Sequence, residues 1–245
     1  MTYCIGMRLQ DGLVFASDSR TNAGFDQIAT YRKTFVFQNP GERFLALMTA
    51  GNLATSQSVV SLLDARSRGD GVHLLNVTSL YDAAVIVGDT LREVMARDSG
   101  QKDGNGTDFS SSLILGGQIH GERTRLFNIY PEGNFIEATE ETPYLQIGES
   151  KYGKPVIDRA ISYQSSLATA YQCALISFDS TMKSNLSVGM PLDMLVYRNG
   201  RFDGGLAQRI DEHNPYFQQL QSVWTQGIQQ LINSLPQPDP GVIPE

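Results

Sequence analysis

Thr2 stands directly behind Met1 in "MTYCIGMRLQDGLVFASDSR", residues 1–20. A threonine hydroxyl is a poor nucleophile without a base. A free α-amine has an ordinary pKa of about 7.7–8.0, so it accepts a proton near neutral pH. Methionine aminopeptidases act before small residues, and threonine is small enough. With Met1 removed and no leader before it, Thr2 would carry nucleophile and base together, an arrangement suited to acyl transfer. A strand that merely begins early is the better account of "MT" when it is taken alone.

Three further residues bear on that choice. The chain turns at "QDG", residues 10–12. Thr2 then falls opposite roughly residue 20, with Asp18 a residue or two away. A carboxylate there can orient a proton network, or it can be a solvated strand-end charge. Lys33 opens a later strand in "RKTFVFQ". Beside Thr2, a buried or paired lysine would lower the amine's pKa, and Asp18 would keep that lysine charged. On a surface it would do neither. Gly51 lies between a strand and a helix in "TAGNLATSQ". Its backbone N–H can meet a substrate oxygen near a helix N-terminus, or the glycine can serve a tight turn.

The elements that must position these residues read as strands, two helices, strands, two helices, a strand and a helix. Residues 2–9 alternate with period two, and 13–18 return as a hairpin. "RKTFVFQ" and "RFLALMTA" form a second strand pair around "NPGE". Helical patterning follows Gly51 and again spans 79–97, where Ser79 and Asp82 make a capping pair. Strands are expected at 110–118, 123–130, 134–138, 144–147 and 191–198, and helices at 152–164 and 166–177. The last helix, 215–234, begins at Asn214 and Pro215 and gathers Phe217, Leu220, Trp224, Ile228, Leu231 and Leu235 on one face. Hairpins with segregated helix pairs argue α+β, with two sheets face to face and helices outside. One domain over 1–235 is expected, then an extended Pro-rich tail, 236–245. The polar stretch 98–108 reads as a mobile loop; its Asp spacing does not fit a calcium loop.

Composition narrows the class. The 245 residues are 41% hydrophobic and 18% charged, with a net charge of −7. The chain has the apolar matter for a sizeable core. No basic run favours nucleic acid, and no apolar run suits a membrane span. Arg8, Asp11 and Asp18 interrupt any secretory h-region, so cytoplasm is the expected compartment. Cys4 and Cys173 sit in no CxxC pair and the three histidines are scattered, which argues against structural zinc. The bland expectation for both cysteines is a reduced, buried thiol, although sequence alone leaves a disulfide open.

The threonine behind Met1, "ASDSR", the strand-opening lysine and "AGNLATSQ" before a helix together resemble proteasome β-type subunits of the N-terminal nucleophile hydrolases, and among them the bacterial Anbu (ancestral β-subunit) group. "MTYCIGMRLQDGLVFASDSRTNAG" and "SFDSTMKSNLSVGMPLDMLVY" carry the likeness, which extends over nearly the whole chain. It implies a four-layer αββα sandwich, hydrolysis of peptide bonds in peptides or unfolded proteins, and self-assembly into a closed ring or an open helical homo-oligomer. It implies no metal or cofactor and leaves room for an unidentified ATPase partner. Thr2 resembles the nucleophile, Asp18 and Lys33 the charge pair, and Gly51 the oxyanion-hole glycine. Arg20 matches the arginine two residues beyond the aspartate. Asn22 falls where the family pairs with substrate backbone, and Thr49 and Leu53 where it borders the specificity pocket.

Two places depart from the family pattern. "IGESKYG" puts Glu149 or Ser150 where a serine is usual, the preceding glycine favouring Glu149. Counting back from "SVG", Ser187 matches a second family serine, but Ser184 stands where an aspartate is usual, with Asp179 nearby. These departures keep two other readings open: a non-catalytic assembly subunit, and an amidase of the same nucleophile class acting on small amides.

Overall fold

A computed structural model describes residues 2–22, 28–99, 108–236 and 238. The expectations for Met1, for the centre of the polar loop and for most of the tail lie outside these residues. The chain forms two compact units, residues 1–211 and 212–245.

In the first unit, β1 (Tyr3–Leu9) and β2 (Gly12–Asp18) make the expected hairpin, followed by the short strands β3 (Arg20–Asn22) and β4 (Ile28–Thr30). Then come β5 (Thr34–Asn39), β6 (Arg43–Gly51), α1 (Leu53–Arg66) and α2 (Leu80–Ser99). Four strands follow: β7 (Ser111–Ile119), β8 (Arg125–Ile129), β9 (Phe135–Glu137) and β10 (Tyr144–Gly148). The unit ends with α3 (Lys154–Ala160), α4 (Leu167–Ser184), β11 (Leu192–Arg198) and β12 (Leu206–Ile210). One antiparallel sheet has the order β10-β1-β2-β11-β12, the other β5-β6-β7-β8-β9, and β3-β4 pair separately.

Every residue of β1 and β2 is buried, because both faces of their sheet are covered. On one face, Tyr3 meets Phe178 of α4, ring centroids 4.5 Å apart. On the other, Cys4, Leu13 and Phe15 join Phe44, Ala46, Met48, Ile114 and Leu126 of the facing sheet. Phe44 and Tyr197 stack across this layer at 4.4 Å. The outer face of the second sheet, through Leu45, Leu47, Leu113, Leu115 and Phe127, packs on Val59, Leu63, Val87, Leu91 and Val94 of α1 and α2. Each large apolar side chain so buried contributes about 1.5–3 kcal/mol. The result is the expected α+β layering, helices outside two antiparallel sheets.

Several element boundaries differ from expectation. Helix α4 continues to Ser184 instead of stopping at 177. Its polar final turns still bury Phe178, Asp179 and Thr181, and Thr181 Oγ1 donates back to the Ser177 carbonyl at 2.8 Å. Helix α3 is shorter than the patterned 152–164. Strand β12 escapes the pattern because it is a sheet edge, exposed at four of its five positions. The Ser79–Asp82 cap forms, with Asp82 N donating to Ser79 Oγ at 3.1 Å. Cys4 and Cys173 are both buried and free.

The second unit is built on α5 (Pro215–Ser234), where Asn214 Oδ1 accepts from Phe217 N at 3.0 Å. Phe217 is buried, whereas Leu231 and Leu235 of the same expected face are exposed. Among the described residues, no helix is long and apolar enough to cross a membrane.

Candidate functional site

The hairpin register sets the site. Cys4 pairs with Ser17, which brings Tyr3 opposite Asp18 and Thr2 one step further on. Tyr3 N donates to Asp18 Oδ1 at 3.0 Å. Asp18 is fully buried and Lys33 nearly so, and Lys33 Nζ donates to Asp18 Oδ1 at 2.6 Å. Lys33 sits just ahead of β5, held by Thr49 N donating to its carbonyl at 3.0 Å. Its Nζ also donates to the Arg20 carbonyl at 2.8 Å. Burial pushes the Asp18 carboxyl above the ordinary carboxylate range, and the Lys33 ammonium and the N–H groups of Tyr3 and Gly189 oppose that rise. Burial also pushes the Cys4 thiol well up, and Cys4 Sγ donates to the Thr49 carbonyl at 3.6 Å.

A cleft of about 570 Å³ opens beside this pair, lined by Thr2, Arg20, Lys33, Thr49, Gly51 and Leu53 among others. Gly51 ends β6 with φ +114, and a Cβ there would lie 2.5 Å from the Ser110 carbonyl oxygen, so both conformation and space demand glycine. Asn52 caps α1 by accepting from Thr55 N at 3.2 Å, which turns the helix N-terminus toward the cleft side of Gly51. Asn22 ends β3, with its backbone paired to Ile28.

Glu149 is next to Thr2 by backbone: its N–H donates to the Thr2 carbonyl at 2.6 Å. The glycine before it, Gly148, takes φ +79, and a Cβ there would fall 1.9 Å from that same carbonyl oxygen. Glu149 Oε1 accepts from Lys151 N at 3.2 Å, and Oε2 from Asn185 Nδ2 at 3.0 Å. Asn185 Oδ1 in turn accepts from Ser187 N at 3.0 Å and Ser187 Oγ at 2.5 Å. The turn then reaches Gly189, whose N–H points to Asp18 Oδ2 at 3.4 Å. Arg20 Nη1 donates to the Leu186 carbonyl at 2.6 Å and steadies the same turn. A chain of hydrogen bonds thus runs from the Thr2 carbonyl through Glu149, Asn185 and the turn to Asp18 and Tyr3.

Ser187 enters this chain as expected only in being near it; its partner is Asn185. Ser184 makes no link in this chain. It ends α4 exposed, and Asn185, the C-cap, makes the link instead. Asp179 pairs with Lys183 at 3.0 Å, one helical turn on. The signal that finds Asn185 is "NLS" after a helix, an Asx turn in which the asparagine oxygen accepts from the N–H two residues on.

Two antiparallel sheets between helix pairs, with the N-terminal strand carrying Thr2 into a cleft, form the proteasome-type sandwich of the N-terminal nucleophile hydrolases. The family model described as "Proteasome subunit" matches residues 2–196, and the chain belongs to the proteasome subunit family. Its similarity to "Anbu (ancestral beta-subunit) from Yersinia bercovieri" extends over 97% of this chain and 98% of that one, at 55% identity and a TM-score of 0.92. The "Helical Assembly of the Anbu Complex from Pseudomonas aeruginosa" is similar at 56% identity and a TM-score of 0.93, over 98% and 99% of the two chains. A "Proteasome subunit beta" of Haloquadratum walsbyi is 26% identical over 196 residues, 80% of this chain and 72% of that protein.

Proposed function

We propose that this chain is a threonine-type peptidase subunit that acts through Thr2 once Met1 is removed. The observation that carries this reading is the meeting of Thr2, the buried Lys33–Asp18 pair and Gly51 at one cleft. Thr2 Oγ1 attacks a peptide carbonyl and its proton passes to the Thr2 amine. The new C–O bond leaves a tetrahedral oxyanion, which the Gly51 N–H stabilises. The C–N bond then breaks, the amine returns the proton to the leaving nitrogen, and an ester to Thr2 remains. Water attacks the ester by the same proton route and releases the acid. Lys33, bonded to Asp18, favours the neutral form of the amine, and Thr49 and Leu53 shape the pocket beside the scissile bond. Asn22 pairs with substrate backbone as an added strand.

The reading includes self-assembly of copies in the cytoplasm into an open helical oligomer, supported by the likeness to the helical assembly from Pseudomonas aeruginosa. A peptide β-lactone incubated with Met1-free protein should add its mass to the peptide beginning at Thr2. Thr2→Ala should lose the adduct entirely. An adduct persisting in Thr2→Ala, or none on Met1-free protein, would sink the peptidase reading and favour an assembly subunit.

A further inference from the structure

We propose that β5 and β12 frame a docking slot apart from the Thr2 cleft, in which an extended acidic segment of the substrate polypeptide lies along the free edge of β5 with a carboxylate at Arg32. That the occupant is substrate rests on the peptidase reading.

Among the described residues, β5 ends one five-stranded sheet and β12 ends the other. Phe35 and Phe37 of β5 pack into the layer of α1 and α2. Thr34 and Val36 alternate with them and so face the opposite sheet. The 2.8 Å hydrogen bond between Thr34 Oγ1 and Ser17 Oγ has that direction. In the opposite sheet, Leu195 belongs to the core between the sheets, and Asp193 shares its face. Ala207 pairs with Leu195 and Arg209 with Asp193, and paired residues share a face. Val36, Ala207 and Arg209 therefore all point between the sheets. Yet Val36 is 44% exposed, and Ala207 and Arg209 are exposed as well. The two sheets do not close on each other along this edge. A slot of about 360 Å³ remains, with Arg32, Val36, Leu195, Ala207 and Arg209 among its walls. It shares no lining residue with the cleft at Thr2. Beyond the far end of β5, the turns are tied by Gly41 N donating to the Phe202 carbonyl at 2.9 Å.

The edge of β5 offers backbone donors and acceptors that one added strand can pair. Every second residue of that strand would meet Val36, Leu195 and Ala207, which favours apolar residues at alternate positions. The charges facing the slot are Arg32, Asp193 and Arg209. Arg209 Nη1 donates to Asp193 Oδ1 at 3.0 Å, which leaves each compensated. Arg32 is exposed and has no ion pair among the described residues. One uncompensated cation on a chain of net −7 selects an acidic residue at its end of the slot. Arg32 directly precedes Lys33 of the buried pair, so a polypeptide docked here is tethered at the catalytic end of β5. Tethering raises the local concentration of the rest of that polypeptide at the cleft, which is the argument for substrate as the occupant.

The probe is the fluorescein-labelled hexapeptide EVTVTV, followed by anisotropy against the full chain, with KVTVTV as its charge-reversed control. EVTVTV should bind more tightly than KVTVTV. Arg32→Glu should weaken EVTVTV by about threefold. Ala207→Trp, which fills the slot from an exposed position, should abolish its binding. Arg32→Glu alone carries the test if Ala207→Trp does not fold. Equal affinity for the two peptides, or for the native chain and the variants, overturns the proposal. A change of oligomer size in Ala207→Trp by light scattering, without loss of peptide binding, assigns the slot to a second copy and also overturns it. In a longer peptide that carries the same acidic strand beside a cleavable bond, Ala207→Trp should raise KM and leave kcat unchanged. Labelling of Thr2 by the β-lactone, run in parallel, keeps the two ideas apart. Slot-dependent binding without adduct sinks the peptidase reading and leaves a peptide-docking slot. Adduct with slot-independent binding sinks this proposal alone.

Discussion

Asp18 and Lys33 are two opposite charges with almost no water, and each is tolerable only because of the other. Lys33→Met leaves a buried carboxylate with only the N–H groups of Tyr3 and Gly189 as donors. It should destabilise the fold by about 3–5 kcal/mol at pH 7. The loss should shrink on acidification. Burial lifts the folded pKa of Asp18 above its unfolded value, near 3.9. The folded chain thus binds the proton first as pH falls. The stability this group contributes is complete below the unfolded pKa and is lost as pH rises through the folded pKa. Removing Lys33 raises the folded value further and widens that window. Urea unfolding of both proteins at pH 7 and pH 4 checks this, and a deficit that grows toward pH 4 would contradict it. The nearness of Thr2 to Asp18 was legible in the sequence because a short hairpin fixes its own register, whereas Lys33 and Gly51 come to the same cleft from the strands of the facing sheet. Asn185 was not legible, because its place depends on where α4 ends, and that end is set by burial of Phe178 and Thr181 rather than by local pattern.

The ends of β1 and β10 meet through the bond from Glu149 N to the Thr2 carbonyl. Gly148 has positive φ and no room for a methyl beside the Thr2 carbonyl. Gly148→Ala should cost more than about 1 kcal/mol and reduce lactone labelling of Thr2, since the bond from Glu149 N cannot keep its length. Thermal melting and adduct mass together test this; labelling at the native rate would show that the β10 end does not position Thr2. Tyr3 ties the same strand to α4. Its hydroxyl shares a 2.7 Å hydrogen bond with Ser177 Oγ and accepts from Gln146 Nε2 at 2.6 Å, and burial pushes its pKa up to about 12. Tyr3→Phe should cost about 1–3 kcal/mol by stranding those partners, as read from the urea midpoint. Strands with buried alternation were legible, and so was α5, whose Asn-Pro start and apolar face mark it locally. Strand β12 and the β3–β4 pair were not. They are short or exposed, so they exist through backbone pairing that side-chain pattern does not record.

At the scale of the whole chain, charge acts against association. Each copy carries a net −7, so copies approaching one another repel over about 10 Å at 0.1 M salt. Self-assembly should therefore strengthen between 50 and 500 mM salt. Light scattering across that range checks it, and dissociation on adding salt would mean that assembly rests on complementary charge instead. The chain of hydrogen bonds around Thr2 has a further consequence, in time rather than space. It joins residues at opposite ends of a long unit, from Tyr3 and Asp18 to Gly189, a separation of 171 positions for the last link. A ribosome making roughly 5–20 residues per second releases the first hairpin many seconds before residue 189 leaves the exit tunnel. Until then Thr2 lacks the turn that carries Asn185 and Gly189, and the cradle for Asp18 is unfinished. Whatever chemistry the threonine performs stays latent through synthesis, and a nascent chain is harmless to itself and its neighbours by the order in which it is made.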